Sequence, residues 1–260
     1  MRRIITVLLL IIVITVPFFA FDILPVIGDP ESAPNSHVSD YYIEHAQDEC
    51  NSPNMVTAVI VDYRAFDTMF ETTVMFLAGI SVVLILANRP KKRYGKEEEE
   101  NLFDEPFKPE GGAPIYRTVN KEVMISVIEP VILIYAIYVL FHGEVSLGGG
   151  FQAGALIGMV YLLDVMVAKR SVPIFSIGKF RSSALAGLGP LIYALTGAVS
   201  MIGGGLYLEY NKLPFNIHQL ELHSIGITAV EIGVTVGVAG TIITILNALM
   251  ERVSFDDDNI

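Results

Sequence analysis

Long apolar runs alternate with polar connections along the whole chain. Because a helix rises about 1.5 Å per residue, roughly 20 apolar residues cross a bilayer core of ~30 Å. Runs of this kind lie at Ile4–Leu24, Met69–Asn88, Val123–Phe141, Phe151–Ala168, Ala184–Tyr207 and Ser224–Met250. The pattern predicts an all-α integral membrane protein with six transmembrane helices. We expect the first run to remain as a helix kinked at Pro17 and not to be removed as a signal peptide.

Two longer polar stretches interrupt these runs, and the second of them separates the first two runs from the last four. Residues 22–54 read as an outer loop within a two-span unit, 1–95. Residues 96–118 are rich in charge, Pro and Gly and lack a periodic apolar face, which is typical of a cytoplasmic linker. A four-span domain, 119–260, follows. The arrangement predicts a fusion of two membrane units.

Composition and charge support a multi-pass protein of the cell membrane. Hydrophobic residues make up 52% of the chain, and Trp is absent. Of the seventeen Lys and Arg residues, only Arg64 and Lys212 fall on the outer side of a six-span arrangement. The positive-inside rule therefore predicts that both termini are cytoplasmic. We expect lipid and other membrane proteins as partners, and no nucleic acid.

The sequence predicts neither a metal site nor a catalytic centre. Cys50 is the single cysteine, so a disulfide framework or a Cys-ligated cluster is excluded. The outer loop holds several acids and histidines whose spacing matches no ligand pattern, and we interpret them as solvated or partner-contacting: His37, Asp40, Glu44, His45, Asp48 and Glu49. A nucleophile–base pair and a cofactor loop are also missing, which argues against a stand-alone enzyme.

The segment before the second span carries an unusual group of charges: Asp62, Arg64, Asp67 and Glu71. Ionisable side chains at membrane depth cost roughly 2.5–3.5 kcal/mol on insertion scales, which implies pairing, water access or transport. In an unbroken helix Arg64, Asp67 and Glu71 would share a face, which Thr57 and Ile60 would continue. Two hypotheses stay open, a structural ion pair between subunits and an ion relay with one titrating acid. Whether the helix is broken here also stays open.

The last apolar run contains a polar stripe: Ser224, Thr228, Glu231 and Thr235, at i, i+4, i+7 and i+11. A carboxylate flanked by hydroxyl oxygens suits Na⁺ or a proton, although a helix–helix hydrogen bond explains it equally well. On another face, Gly233 and Gly237 form a Gly-x-x-x-Gly pattern that predicts close packing of a second helix.

Three further candidates lie in the central part of the chain. Glu129 precedes Pro130, which frees a carbonyl one turn earlier, so the pair suits a cation unless Glu129 extends to the inner interface. We expect Asp164 to be an interfacial charge. His142 is either a proton-handling group or a structural residue of a loop. The glycines that follow predict a tight outer hairpin entering a glycine-lined helix: Gly148, Gly149, Gly150 and Gly154.

Two groups of motifs carry a family resemblance. The stretch from Asn54 to Thr68 resembles the C-terminal membrane segment of the large subunit of Mrp-type Na⁺/H⁺ antiporters and the small E-type subunit of energy-converting hydrogenases. The second half resembles the MnhB/MrpB family through His142-Gly, Gly148-Gly-Gly-Phe151-x-x-Gly154, Leu222-His-x-x-Gly226 and Glu231-x-Gly233. Leu147 and Glu231 depart from that pattern, which often has Pro and Asp in these places.

The resemblance implies a non-catalytic subunit of a cation-translocating membrane assembly. Its partners would be other membrane subunits of an antiporter-like or hydrogenase-like complex, such as an archaeal membrane-bound hydrogenase or a sulfur-reducing relative. It would bind no cofactor, and Na⁺ or H⁺ would be the transported ion. The candidate charges then either line an ion path or lock a structural scaffold to its neighbours.

Overall fold

The structure is a computed structural model that describes residues 2–20, 24, 26–88, 116–167 and 179–257. Within these ranges every regular element is helical. The chain forms two compact units, residues 1–45 and 46–260. The main helices are α1 (Arg2–Ala20), α2 (Ser39–Cys50), α3 (Met55–Thr57), α4 (Ala65–Asn88), α5 (Tyr116–His142), α6 (Gly150–Leu162), α7 (Lys179–Ile202) and α8 (Gln219–Asp257).

The first unit contains α1, a π-helical turn at Pro34–Val38 and most of α2. Its apolar stretch, Ile4–Val16, is shorter than the predicted run to Leu24. The predicted loop 22–54 is in part helical, because α2 occupies twelve of its residues. That helix begins at Ser39, with Asp40 in its first turn, where an acidic side chain favours the helix dipole.

Four helices of the second unit are long and apolar enough to cross a membrane. Their spanning portions are Ala65–Leu86, Val123–His142, Arg181–Ile202 and Gln219–Met250. The predicted fourth run is shorter as a helix, Gly150–Val165, and widens into a π-helical turn at Leu163–Val167. The described residues thus contain four candidate spans of full length, and six spans stay a prediction. The linker prediction falls mainly on 96–115, outside the described residues, and α5 begins at Tyr116.

Helix α8 lies at the centre of the second unit and packs against α4, α6 and α7. Two-thirds of the residues in its apolar 18-residue stretch are buried (67%), compared with 11% in the corresponding stretch of α4. Glycines permit this close packing, because a Cβ atom added to Gly189 of α7 would lie 2.3 Å from the Cα of Gly237. Gly233 also packs against Gly189 and the side chain of Ile192. The Gly-x-x-x-Gly pattern of α8 therefore faces α7.

The helical path is interrupted between α3 and α4. A π-helical turn, Ala58–Tyr63, continues α3 and ends at Arg64, whose φ of −121° and ψ of 34° are not helical. Side chains satisfy backbone carbonyls around this break: Tyr210 donates to Val61 (2.9 Å), Tyr193 to Ala65 (2.9 Å) and Thr68 to Ile60 (2.7 Å). Since unpaired carbonyls are costly away from water, these hydroxyls stabilise the broken helix.

Candidate functional site

An acidic cavity of about 250 Å³ lies where the broken segment meets α8 and the hairpin 143–149 that joins α5 to α6. Its polar lining combines two carboxylates with hydroxyl, amide and glycine backbone groups. These residues are Glu71, Glu231, Thr57, Thr68, Thr72, Gln152 and Gly148 to Gly150. Val56, Val61, Met75 and Val234 are among the apolar residues that complete the wall. A cavity of this size is large enough for several water molecules.

Glu231 is the most enclosed acid of the cavity, with 4% of the residue exposed. Its carboxylate lies directly against glycines of the hairpin, since a Cβ atom on Gly149 would be 2.9 Å from Oε1 and one on Gly143 would be 3.0 Å away. Among the described residues no hydrogen-bond donor reaches this carboxylate. The start of α6 at Gly150 packs on the Glu231 backbone, so the positive end of a helix dipole lies nearby.

The hydroxyls of the predicted stripe share one face of α8, but they bind groups other than the Glu231 carboxylate. Ser224 accepts a hydrogen bond from the Asn51 amide (3.1 Å), and Thr228 donates to Oε1 of Glu144 (3.0 Å). The Thr235 hydroxyl lies 3.0 Å from the carbonyl of Gly150 and 2.8 Å from that of Glu231. The stripe therefore attaches α8 to the hairpin and to α6.

A cluster of hydrogen bonds fixes the hairpin over the cavity. The Asn54 amide nitrogen contacts the carbonyls of Gly143 (2.8 Å) and Ser146 (2.7 Å), and the Thr57 hydroxyl also donates to Gly143 (2.7 Å). The carbonyl of Glu144 accepts from the backbone of Asn54 (3.0 Å) and from the Ser52 hydroxyl (3.1 Å). The sequence analysis included Asn54 and Thr57 in its motifs, but it did not predict that they anchor the hairpin, and it missed Ser52.

The helix break separates the first group of charges. Arg64 forms an ion pair with Asp67, and both side chains are mostly exposed. Glu71, one turn further, lines the acidic cavity. Asp62 lies on the other side of the break and contacts Nδ1 of His223 at 2.7 Å. The face that a continuous helix would have formed is thus divided. The sequence analysis included His223 in the Leu222-His motif but did not predict its contact with Asp62.

Three candidates lie away from the acidic cavity. Glu129 is fully buried in α5, which continues through Pro130, so of its two open alternatives the extension to an exposed position is not observed in this chain. Asp164 is 1% exposed and lies near Tyr161. Its burial within the protein does not test its position relative to the membrane surface, so its interpretation as an interfacial charge stays a prediction. His142 is exposed and stacks on Tyr138 at 4.5 Å between ring centroids.

Glu144 and Cys50 are among the groups outside the spans whose pKa values are shifted. Burial raises the pKa of Glu144, and hydrogen bonds from Thr228 and Ser224 oppose the shift. Burial also raises the pKa of Cys50 to about 12, with further contributions from Asp62. Within the described ranges, no cluster of three or more His, Cys, Asp or Glu side chains is arranged to hold a metal ion.

These features define a polytopic helical membrane protein with a buried acid site. A family model described as a domain related to the MnhB subunit of Na⁺/H⁺ antiporter matches residues 121–244, and the MbhE model, which describes a subunit of MBH, matches residues 1–96. An uncharacterised protein of Methanocaldococcus jannaschii, MJ1307, is 30% identical over 201 residues, which are 75% of this chain and 72% of that protein. The chain belongs to this family of Mrp-type proteins, in which an MbhE-type unit precedes an MnhB-related unit.

Three other proteins are similar to this chain, one in sequence and two in fold, and two of the three are much longer than it. A probable K⁺/H⁺ antiporter protein of Rhizobium meliloti, of the combined A/B type, is 26% identical over 220 residues, and the chain spans only 21% of its length. A chain in the Mrp complex of Dietzia sp. matches with a TM-score of 0.63 at 24% identity, over 95% of this chain and 26% of that one. A chain in the archaeal membrane-bound sulfane sulfur reductase matches with a TM-score of 0.56 at 24% identity, over 97% of both.

Proposed function

We propose that this chain is a membrane subunit of an Mrp-type or membrane-bound-hydrogenase-type complex and that it takes part in moving Na⁺ or H⁺ through the acidic cavity. The observation that carries the proposal is Glu231, a carboxylate that is 4% exposed and accepts no hydrogen bond from the described residues. A buried carboxylate without a compensating donor favours a bound proton or a cation. Glu71 supplies a second acid in the same cavity.

The cavity wall has the chemistry that a small monovalent cation requires. Hydroxyl groups come from Thr57, Thr68 and Thr72, and Gln152 adds a carbonyl oxygen. Oxygen ligands of this kind suit hard cations, and a proton needs only the carboxylates and water. Non-helical backbone at membrane depth is tolerated where it lines such a cavity, which accounts for the break before α4.

We propose further that the hairpin end of the bundle faces outward and that both termini lie in the cytoplasm. In the six-span arrangement predicted from the sequence, all Lys and Arg residues except Arg64 and Lys212 fall on the opposite side, which fits the positive-inside rule. In this arrangement α1 and α6 complete a set of six membrane helices within an assembled complex. Neighbouring subunits would then cover the short apolar helices, and residues 96–118 would join the two membrane units in the cytoplasm.

A scaffold without its own ion path is the second candidate function. Its supporting observation is that only 11% of the apolar stretch of α4 and 22% of that of α5 are buried, which leaves long faces for other subunits or lipid. The Arg64–Asp67 pair, exposed in the isolated chain, would then contact a neighbour. Under this alternative the charges stabilise assembly and their neutralisation leaves transport intact in any complex that forms.

The two candidates differ in the effect of Glu231→Gln on the intact complex. In inverted vesicles, we expect Na⁺-coupled transport to fall to background for this variant while a native gel shows normal assembly. Glu221→Gln is the matched control, because it makes the same chemical change at an exposed position of the same helix. Wild-type transport by an assembled Glu231→Gln complex would favour the scaffold.

A further inference from the structure

Glu144 directly follows Gly143, which packs against the Glu231 carboxylate, and the site described above gives Glu144 no role. It belongs to the hairpin whose glycines touch the Glu231 carboxylate, and it is half-buried whereas Glu231 is nearly enclosed. The two carboxylates interact electrostatically, and burial of Glu144 raises its pKa. Glu144 is therefore the more exposed of two carboxylates that interact with each other.

The backbone and the side chain of Glu144 make different contacts. Its backbone carbonyl anchors the hairpin by accepting from Asn54 and Ser52. Its side chain instead accepts a hydrogen bond from Thr228 (3.0 Å), which lies three residues before Glu231 on the same helix. This bond holds the Glu144 carboxylate against α8, close to the turn that carries Glu231.

We propose that Glu144 and Glu231 form a two-carboxylate binding site for a monovalent cation, in which Glu144 captures Na⁺ or a proton and passes it to Glu231. The inference rests on the proposed function, because it assumes that Glu231 lies on an ion path. It adds a residue to that path. The hairpin glycines keep the site compact, since a Cβ on Gly149 would lie 2.9 Å from Glu231 Oε1. Two other titratable groups act at this site: Glu71 lines the same cavity, and Tyr193 of α7 interacts electrostatically with Glu231.

The test compares Glu144→Gln with wild type in vesicles that contain the intact complex. A glutamine keeps the oxygen that accepts from Thr228, so the hairpin is expected to fold, but it removes the charge. We expect the Na⁺ concentration for half-maximal transport to rise about tenfold, with a maximal rate close to wild type, because one nearby unit charge is lost. If the site carries protons, the pH of half-maximal transport shifts instead, while the half-saturating Na⁺ concentration stays the same.

Two further variants make the outcome decisive. Glu221→Gln, exposed on the same helix, is expected to leave both parameters unchanged. If Glu144→Gln does not assemble, Thr228→Val removes the hydroxyl that holds the carboxylate and is expected to produce a smaller shift in the same direction. The role of Glu144 would be overturned if Glu231→Gln abolishes transport but Glu144→Gln changes neither the half-saturating Na⁺ concentration nor the pH of half-maximal transport. Where Thr228→Val replaces Glu144→Gln, the same unchanged values would overturn it. Normal transport in Glu231→Gln would instead remove the proposed function itself.

Discussion

Substitution of Gly189 by alanine tests how closely α7 and α8 are packed. A Cβ atom at this position would lie 2.3 Å from the Cα of Gly237 and 2.7 Å from the carbonyl oxygen of Gly233. Carbon atoms in contact normally lie about 3.5–4.0 Å apart, so the helices would have to separate by roughly 1.2 Å. Both neighbours are backbone atoms, which have no rotamer to change.

Gly187 of the same helix is the matched control. A Cβ atom there would meet only the ring of Phe76, at 3.4 Å, which is an ordinary van der Waals distance. Both variants gain the same helix propensity, up to about 1 kcal/mol, so their difference isolates the steric conflict. Overpacking of this kind costs about 1–3 kcal/mol.

The assay is the thermal midpoint of the intact complex in detergent, read as the fraction that remains assembled after heating. A free-energy change of 1 kcal/mol shifts the midpoint by roughly 2–4 °C for a chain of this size. We therefore expect Gly189→Ala to melt about 2–12 °C below Gly187→Ala. Equal midpoints for the two variants would refute the described contact between α7 and α8.

Two further predictions concern other parts of the fold. Tyr210→Phe leaves the buried Val61 carbonyl without its hydroxyl donor and should destabilise the protein by about 1–3 kcal/mol, whereas Tyr135→Phe on the exposed face of α5 should not change the melting midpoint. Cys50, with a pKa raised by burial to about 12, should be a thiolate in roughly one molecule in 10⁴ at pH 8, so a maleimide at this pH should label it only after denaturation. Rapid labelling of the native complex at pH 8 would contradict the burial of Cys50 at the end of α2.

The sequence predicted the helical class and the polar stripe of α8, because apolar run length and helical periodicity are local properties. It also placed Gly233 and Gly237 on a packing face, since the i, i+4 spacing of small residues is visible in the sequence. Its count of six spans stays a prediction, because four candidate spans lie in the described residues and the first and fourth apolar runs border residues that the structure does not describe.

The partners of the charges could not be predicted from periodicity. Asp62 contacts His223, which lies 161 positions away, and Thr228 contacts Glu144 across 84 positions. Such pairs depend on how the hairpin and the broken helix pack against α8. Glu129 and Asp164 illustrate the same limit, since their exposures of 0% and 1% depend on packing that periodicity does not show.

The central claim is that a cation occupies the acidic cavity next to Glu231. Its most direct test is ²²Na⁺ uptake by the purified, reconstituted complex with Glu, Gln or Asp at position 231, each confirmed as assembled. We expect Glu231→Gln to abolish Na⁺-coupled uptake and Glu231→Asp to retain it, because aspartate keeps the charge on a side chain shorter by one methylene. Undiminished uptake by an assembled Glu231→Gln complex would contradict the claim and assign the cavity to packing between helices.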